Sequence, residues 1–323
     1  MAPFIRDPRG DPEEPLVHYR QIYAIKSSDA DEFNRLGILL YSQGRLEEAA
    51  AAFERVLTIN PDHAEACHNL GNTLSTQGKP RAALAAFKKA SRLNPENLTA
   101  RHMVAALSGQ RPRSSPRQFV TTLFDQYAHN FDRHVAGRLG CQIAAKLRRI
   151  LDACLHPGIS FRNVLDLGCG TGLSGKEFHD VSHCLTGVDL SAKMIEKAKD
   201  KNIYDRLLES DICEYLERSL ENFDLFIAAD VFVYVGDLVA IFKGIRQRTL
   251  PGAFVIFSTE SCTGRDYILR KSGRYAHSRS YIMELTKGFG FTVLAYGKTA
   301  LRWEKDRWIA GNIFVLRDGC CLA

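Results

Sequence analysis

Apolar residues change their period near the middle of the chain. Between Ala30 and Pro95 they recur at helical spacing, and they do so twice. Leu36-Gly37, Leu40, Gly44, Ala49, Phe53, Val56 and Pro61 are answered, each 34 residues on, by Leu70-Gly71, Leu74, Gly78, Ala83, Phe87, Ala90 and Pro95. Each half reads as a helix pair whose second helix stops at Asn60-Pro61 or Asn94-Pro95. Leu16 to Lys26 and Leu98 to Leu107 are also helical in pattern. Beyond residue 159 the pattern becomes short β-prone runs. These are Val164–Leu167, Cys184–Val188, Leu207–Leu208, Phe223–Ala229, Ala253–Ser258, 291–296 and 311–317, with helical stretches between them. That alternation predicts an α/β layer with a largely parallel sheet.

The expected organisation follows. Residues 1–15 are polar, Pro-rich and loose. Residues 16–108 form a helical domain with full repeats at about 30–63 and 64–97. Residues 109–118, GQRPRSSPRQ, are a linker whose arginines face solvent or an acidic partner. Residues 119–158 are a helical lead-in, and 159–318 the α/β domain. The repeat resembles the tetratricopeptide repeat (TPR): Gly37 and Gly71 let paired helices approach, and Phe53 and Phe87 fill the space between them. The resemblance implies a groove for a protein or peptide partner. Packing against the rest of the chain, or dimerisation, is the alternative.

One turn organises the α/β half. The run Val164 to Leu167 ends in Gly168-Cys169-Gly170-Thr171-Gly172, and a helix is predicted over 171–180. Glycines there permit positive φ and close approach to a ligand, which the helix N-terminus then faces. The next strand ends in Asp189, at a distance that suits a ribose diol. The third glycine comes one place too early for a dinucleotide fingerprint. Asp166 would also repel a pyrophosphate. It either caps the turn or marks a site for a cationic, phosphate-free nucleoside.

The strings DLGCGTG and GVDLSAKM (Gly187 to Met194) resemble the class I S-adenosylmethionine-dependent methyltransferases, over roughly residues 119–317. The lead-in agrees: Phe124-Asp125, Ala128 and Phe131-Asp132 match an F-D-x-x-A-x-x-Y/F-D pattern. The resemblance implies a Rossmann-like seven-stranded sheet with its last strand antiparallel, preceded by the all-α TPR domain. It implies S-adenosylmethionine as cofactor, with S-adenosylhomocysteine as product. The cofactor contacts it assigns are Asp166, Gly168, Cys169, Gly170, Asp189, Leu190, Met194, Asp211, Ile212, Ala229 and, in the lid, Tyr127 together with Phe131. Asp211 would hold the adenine amine; the same residue reads as a helix N-cap, and the two roles are compatible.

The acceptor side is read from the strand ends. Asp230 and Tyr234 follow the fourth strand. Ser261 to Tyr281 reads as a long basic loop at the carboxyl edge, where open α/β sheets bind ligands. Arg265, Arg274, Tyr275 and Arg302 are candidates for gripping an anionic acceptor; a solvated basic loop is the alternative. His277 is a candidate general base or a structural residue.

Composition changes little. A net charge of +6 permits an anionic partner without demanding nucleic acid. No run of eighteen apolar residues occurs, so no membrane span is expected. Nine cysteines form no C-x-x-C, which favours free thiols, a reducing cytoplasm and no metal site. Cys320-Cys321-Leu322-Ala323 fits C-a-a-X but lacks a basic run. The expectation is a methyltransferase acting on a protein-, peptide- or carrier-bound group or on a small anionic metabolite. The alternative is a TPR scaffold whose methyltransferase domain senses cofactor or is inactive.

Overall fold

The computed structural model describes residues 29–137, 142–264, 266–304 and 307–319. The helix expected at Leu16 to Lys26, Arg265 and the C-terminal cysteine pair lie outside the described residues. The chain divides into two compact units, residues 1–110 with 271–273, and the remainder.

The first unit is helical: α1 (Ala30–Ser42), α2 (Leu46–Ile59), α3 (Ala64–Thr76), α4 (Pro80–Leu93) and α5 (Leu98–Leu107). Side chains cap the first helix of each pair. Asp29 accepts from Asp31 N, His63 Nδ1 from Ala66 N, and Asn97 from Ala100 N. Phe53 and Phe87 are almost wholly buried, each contributing about 1.5–3 kcal/mol by leaving water. The repeat glycines are there for space. A Cβ on Gly37 would lie 2.5 Å from the Phe53 ring, and one on Gly71 would lie 2.8 Å from Phe87.

The second unit opens with α6 (Arg117–Tyr127), a 3-10 turn (Ala128–Asn130), α7 (Phe131–Gly137) and α8 (Ile143–Asp152). The expected linker is ordered. Ser114 forms a β-bridge with Val235, and Arg113 O accepts from Gly236 N and Asp237 N. Arg117 pairs with Asp211 at 3.5 Å and Glu214 at 2.8 Å.

The strands are β1 (Phe161–Leu167), β2 (Ser182–Asp189), β3 (Arg206–Glu209), β4 (Phe223–Ala228), β5 (Thr249–Ser261), β6 (Tyr267–Leu269), β7 (Tyr275–His277), β8 (Phe291–Glu304) and β9 (Arg307–Asp318). Seven of them lie in the order β3-β2-β1-β4-β5-β9-β8, with β9 antiparallel to both neighbours, as the methyltransferase resemblance implies. Between the strands run α9 (Leu173–Phe178), α10 (Ala192–Lys199), α11 (Ile212–Arg218), α12 (Val239–Gln247) and α13 (Arg279–Gly288).

Period-two alternation buries both faces of the sheet, as a parallel sheet requires. Leu165, Phe226, Val255 and Phe257 share one cluster with Ile241, Phe242 and Ile245 of α12. Val164, Leu225, Ile227 and Ile256 face the other way, toward Ile143, Leu147 and Leu151 of α8.

Two predictions need correction. The long basic loop contains an antiparallel hairpin, β6–β7. Its inner strand pairs parallel with the end of β5, Glu260 with Ala276 and Ser261 with His277. β4 pairs with β5 only as far as Ala228–Phe257, so β7 extends the sheet beyond that point. Three-residue strands give almost no periodic signal, which is why the sequence reads as loop there. The closing strands are also longer than expected, at 14 and 12 residues.

Candidate cofactor and acceptor site

β1 has β2 on one side and β4 on the other, so the connections after β1 and β4 diverge at this point in the sheet. Open α/β sheets form a ligand crevice at such a switch point. The two connections touch: a Cβ on Gly168, whose φ is +71°, would lie 2.6 Å from Val231. Gly168 N and Cys169 N both donate to Val188 O, at 2.7 and 3.0 Å, which curls the turn against the end of β2.

Asp189 fastens the turn from β2. Its Oδ2 accepts from Gly170 N and its Oδ1 from Ser191 N, both at 2.9 Å. Each oxygen keeps a lone pair, and the side chain is only partly buried. Burial pushes its carboxyl above the usual carboxylate range, against the pull of those N–H groups. Gly170, at φ +55°, has nothing within 4 Å of a built Cβ. The open face of this turn is therefore a place where a ligand can meet backbone and carboxylate together.

Asp166 is fully buried. Its Oδ2 accepts from the Tyr204 hydroxyl at 2.6 Å, while Oδ1 has no hydrogen-bond partner. Burial pushes it up to about 7. The expected direct contact with a ligand ammonium is thus not open to this carboxylate, which is sealed behind the turn. Cys169 is buried beside it, and burial keeps its thiol protonated.

Asp211 caps α11: its Oδ1 accepts from Cys213 N at 2.8 Å and Glu214 N at 3.3 Å. Ser210 N donates to Asp189 O at 2.9 Å, bringing the end of β3 to the end of β2. Ile212, Leu190 and Ala229 are partly exposed at these strand ends. Met194, expected over the adenine, is fully buried in α10.

The lead-in closes on this region. Phe124 meets Tyr234 edge-on at 5.3 Å, and Tyr127 meets Phe131 at 5.2 Å. Thr171 donates its hydroxyl to Asp132, which also pairs with Lys201 at 2.7 Å. Ser191 donates to Asp125 at 2.5 Å. The sequence marks both acids through the Phe-Asp pattern, but not the hydroxyl each one holds.

At the ends of β4 and β5 the arginines already have partners. Arg302 Nη1 lies 3.2 Å from Asp230, its Nε lies 3.4 Å from Glu304, and its Nη2 is paired with Glu260. Arg274 reaches Glu304 at 3.1 Å, and Arg270 reaches Glu260 at 3.0 Å. Three guanidinium groups face three carboxylates, so the free cationic grip expected of Arg274 and Arg302 is replaced by a balanced network. Glu260 and Glu304 complete it; Glu260 carried no sequence signal for this role. Asp230 takes φ +59°, a strained conformation for a residue with a Cβ, and its N–H donates to Ser258 Oγ at 2.9 Å. Burial keeps the Tyr234 phenol neutral.

His277 is corrected as well. It is fully buried in β7, Nε2 donates to Gly236 O at 3.0 Å, and burial pushes its pKa down to about 4. It is a neutral structural residue stacked on Tyr281, shut away from any acceptor. Tyr275 is fully buried in the same strand. Among the described residues no His, Cys, Asp and Glu group could hold a metal ion, and no helix is long and apolar enough to cross a membrane.

Comparison with known proteins agrees with this geometry. Residues 164–252 match the methyltransferase domain family, and residues 30–96 match the tetratricopeptide repeat. The malonyl-[acyl-carrier protein] O-methyltransferase of Erwinia pyrifoliae is 30% identical over 148 residues, which is 46% of this chain and 53% of that protein. The ubiquinone biosynthesis O-methyltransferase of Thiobacillus denitrificans is 25% identical over 130 residues, 38% of this chain and 53% of that protein. The chain thus spans about half the length of both. The crystal structure of N-methyltransferase NodS from Bradyrhizobium japonicum, in complex with S-adenosylhomocysteine, superposes with a TM-score of 0.50 at 17% identity. It covers 61% of this chain and 97% of that one. The second unit is a class I methyltransferase domain. The chain thus carries a methyltransferase domain, preceded by tetratricopeptide repeats.

Proposed function

We propose that the protein transfers the methyl group of S-adenosylmethionine to an acceptor at the carboxyl ends of β4 and β5. The observation that carries this reading is Asp189. It is tied to Gly170 N and Ser191 N, and its remaining lone pairs suit a ribose diol beside a turn that leaves the Gly170 face open. The residues present fit the cofactor. Asp189 would hold the ribose, Asp211 with Ile212 and Leu190 the adenine, and Ala229 would give close backbone access near the methionine part. Tyr127 and Phe131 would close over it.

Bound S-adenosylmethionine supplies an activated methyl group, and proximity and orientation account for most of the catalysis. The chain's own task is to align the acceptor. Asp230 and Tyr234 stand at that end, and the arginine–carboxylate network fixes their surroundings. His277 is sealed and does not serve as base there. An acceptor that is already anionic suits this arrangement, whether carrier-bound, peptide-bound or a small metabolite. The repeats supply a docking surface for a protein or peptide bearing it.

The test is calorimetry with S-adenosylmethionine on the parent and on Asp189→Ala, followed by transfer of labelled methyl into cell extract. The expected result is binding that weakens roughly a hundredfold in the variant, on the scale of about 3 kcal/mol for a charged hydrogen-bond acceptor, together with a labelled product. A parent with no affinity overturns the reading. Binding without any labelled product would favour the sensor or scaffold alternative.

A further inference from the structure

Tyr204 lies between α10 and β3, outside both recognition strings, and its position is unusual. Its hydroxyl donates to Asp166 Oδ2 at 2.6 Å and accepts from Gly175 N at 3.0 Å. Gly175 is in the first turn of α9, where backbone donors lack helical partners. Three glycines make room for the ring. A Cβ on Gly187 would lie 2.8 Å from it, one on Gly172 would lie 3.1 Å away, and one on Gly175 would overlap it. Of these, only Gly172 needs glycine for its φ. Glycine in a helix or strand costs about 0.5–1 kcal/mol relative to alanine, so Gly175 is explained by the ring it admits, and Gly187 by that ring together with Leu207, also 2.8 Å from its built Cβ.

We propose that Tyr204 is a positioning residue for the cofactor turn: one phenol ties the sealed Asp166 carboxylate to the start of α9 and sets the charge behind the crevice. The inference rests on the methyltransferase reading for its ligand. Tyr204 is the hydrogen-bond donor to a carboxylate whose other oxygen has none. The remaining titratable groups facing Asp166 are the Asp189 carboxylate and the protonated Cys169 thiol. Neither stabilises a negative charge there. Burial raises Asp166 and the Tyr204 hydrogen bond lowers it. Removing the hydroxyl therefore raises it further and neutralises the carboxylate over more of the range near pH 7. A cationic ligand then loses attraction.

The test uses the full chain. Tyr204→Phe keeps the ring and removes only the hydroxyl. Carboxyl NMR follows Asp166 in ligand-free protein, and calorimetry follows S-adenosylmethionine from about pH 6 to about pH 9, with neutral methylthioadenosine as control. In the parent, affinity for the cation should rise as Asp166 ionises near 7, while the control stays flat. In Tyr204→Phe the Asp166 midpoint should move up by about one unit or more, and affinity for the cation at pH 7 should fall about tenfold. A second variant, Gly175→Ala, displaces the ring and should shift the midpoint in the same direction. An unchanged Asp166 midpoint in Tyr204→Phe overturns the inference. A parent that binds no S-adenosylmethionine overturns the methyltransferase reading instead, and the ligand-free midpoint still decides the role of Tyr204.

Discussion

Ser191 donates its hydroxyl to the Asp125 carboxylate at 2.5 Å, across 66 residues of sequence. Ser191 also caps α10 through Met194 N. The lead-in is thereby fastened to the segment that follows Asp189. Asp132, seven residues on, fastens it to Thr171 and Lys201. Both acids come from the paired Phe-Asp motif, whose aromatic members pack on Tyr234 and on each other. The motif thus suggests a mechanical role: its aromatic rings would cover the crevice while its carboxylates, bonded to Ser191 and Thr171, latch the cover.

Asp125→Ala is expected to loosen that cover without unfolding the domain. A hydrogen bond to a charged group contributes about 1.5–3 kcal/mol. The dissociation rate of S-adenosylmethionine should therefore rise by about tenfold or more, with a small change in melting temperature. Stopped-flow competition measures the rate. An unchanged rate would mean that the lead-in does not gate the ligand.

Arg302→Leu should be strongly destabilising. Arg302 and Glu260 are both almost fully buried, and removing one partner leaves a charge without compensation, at a cost of about 3–5 kcal/mol. Arg270, still 3.0 Å from Glu260, offsets part of that. The double variant Arg302→Leu with Glu260→Leu should recover much of the loss. Denaturant melts of the two variants and of Glu260→Leu alone close the cycle; a strictly additive result would contradict the pairing.

Gly37→Ala tests the repeat packing. Alanine is the better helix former by up to about 1 kcal/mol, and Gly37 has an ordinary helical φ. The added methyl nevertheless falls 2.5 Å from the Phe53 ring, which is itself immobilised at 1% exposure. Overpacking wins, with a net loss of about 1–3 kcal/mol. Pairing it with Phe53→Leu should relieve the clash. Thermal melts of the three proteins would show whether the sign is right.

How much of this was legible depends on distance along the chain. The turn at Gly168 to Gly172, Asp189 and the two helix pairs are written in short spacings, and the structure brings those residues together as expected. Asp166 is placed at this turn by its spacing, but its hydrogen-bond partner Tyr204 lies 38 residues away. The acceptor side was least legible. Arg302 meets Glu260 and Asp230 at separations of 42 and 72 residues, and no local pattern encodes such pairings. For His277 the sequence leaves base and structural residue both open, because it does not show that β7 is an interior strand.

β5 is the strand where this matters most. Along one edge it pairs first with β4 and then, past Ala228, with β7. On the proposed reading the donor crevice is built on β1, β2 and β4, whereas the wall above the acceptor end belongs to β7, to Arg270 and Arg274 beside the β6–β7 turn, and to Arg302 of β8. Donor recognition and acceptor choice would therefore occupy separate stretches of one hydrogen-bonded ribbon. If that reading holds, mutations in the hairpin strands would retune what is methylated while the parts that hold the nucleoside stay as they are, so that new acceptors would become accessible without rebuilding the chemistry.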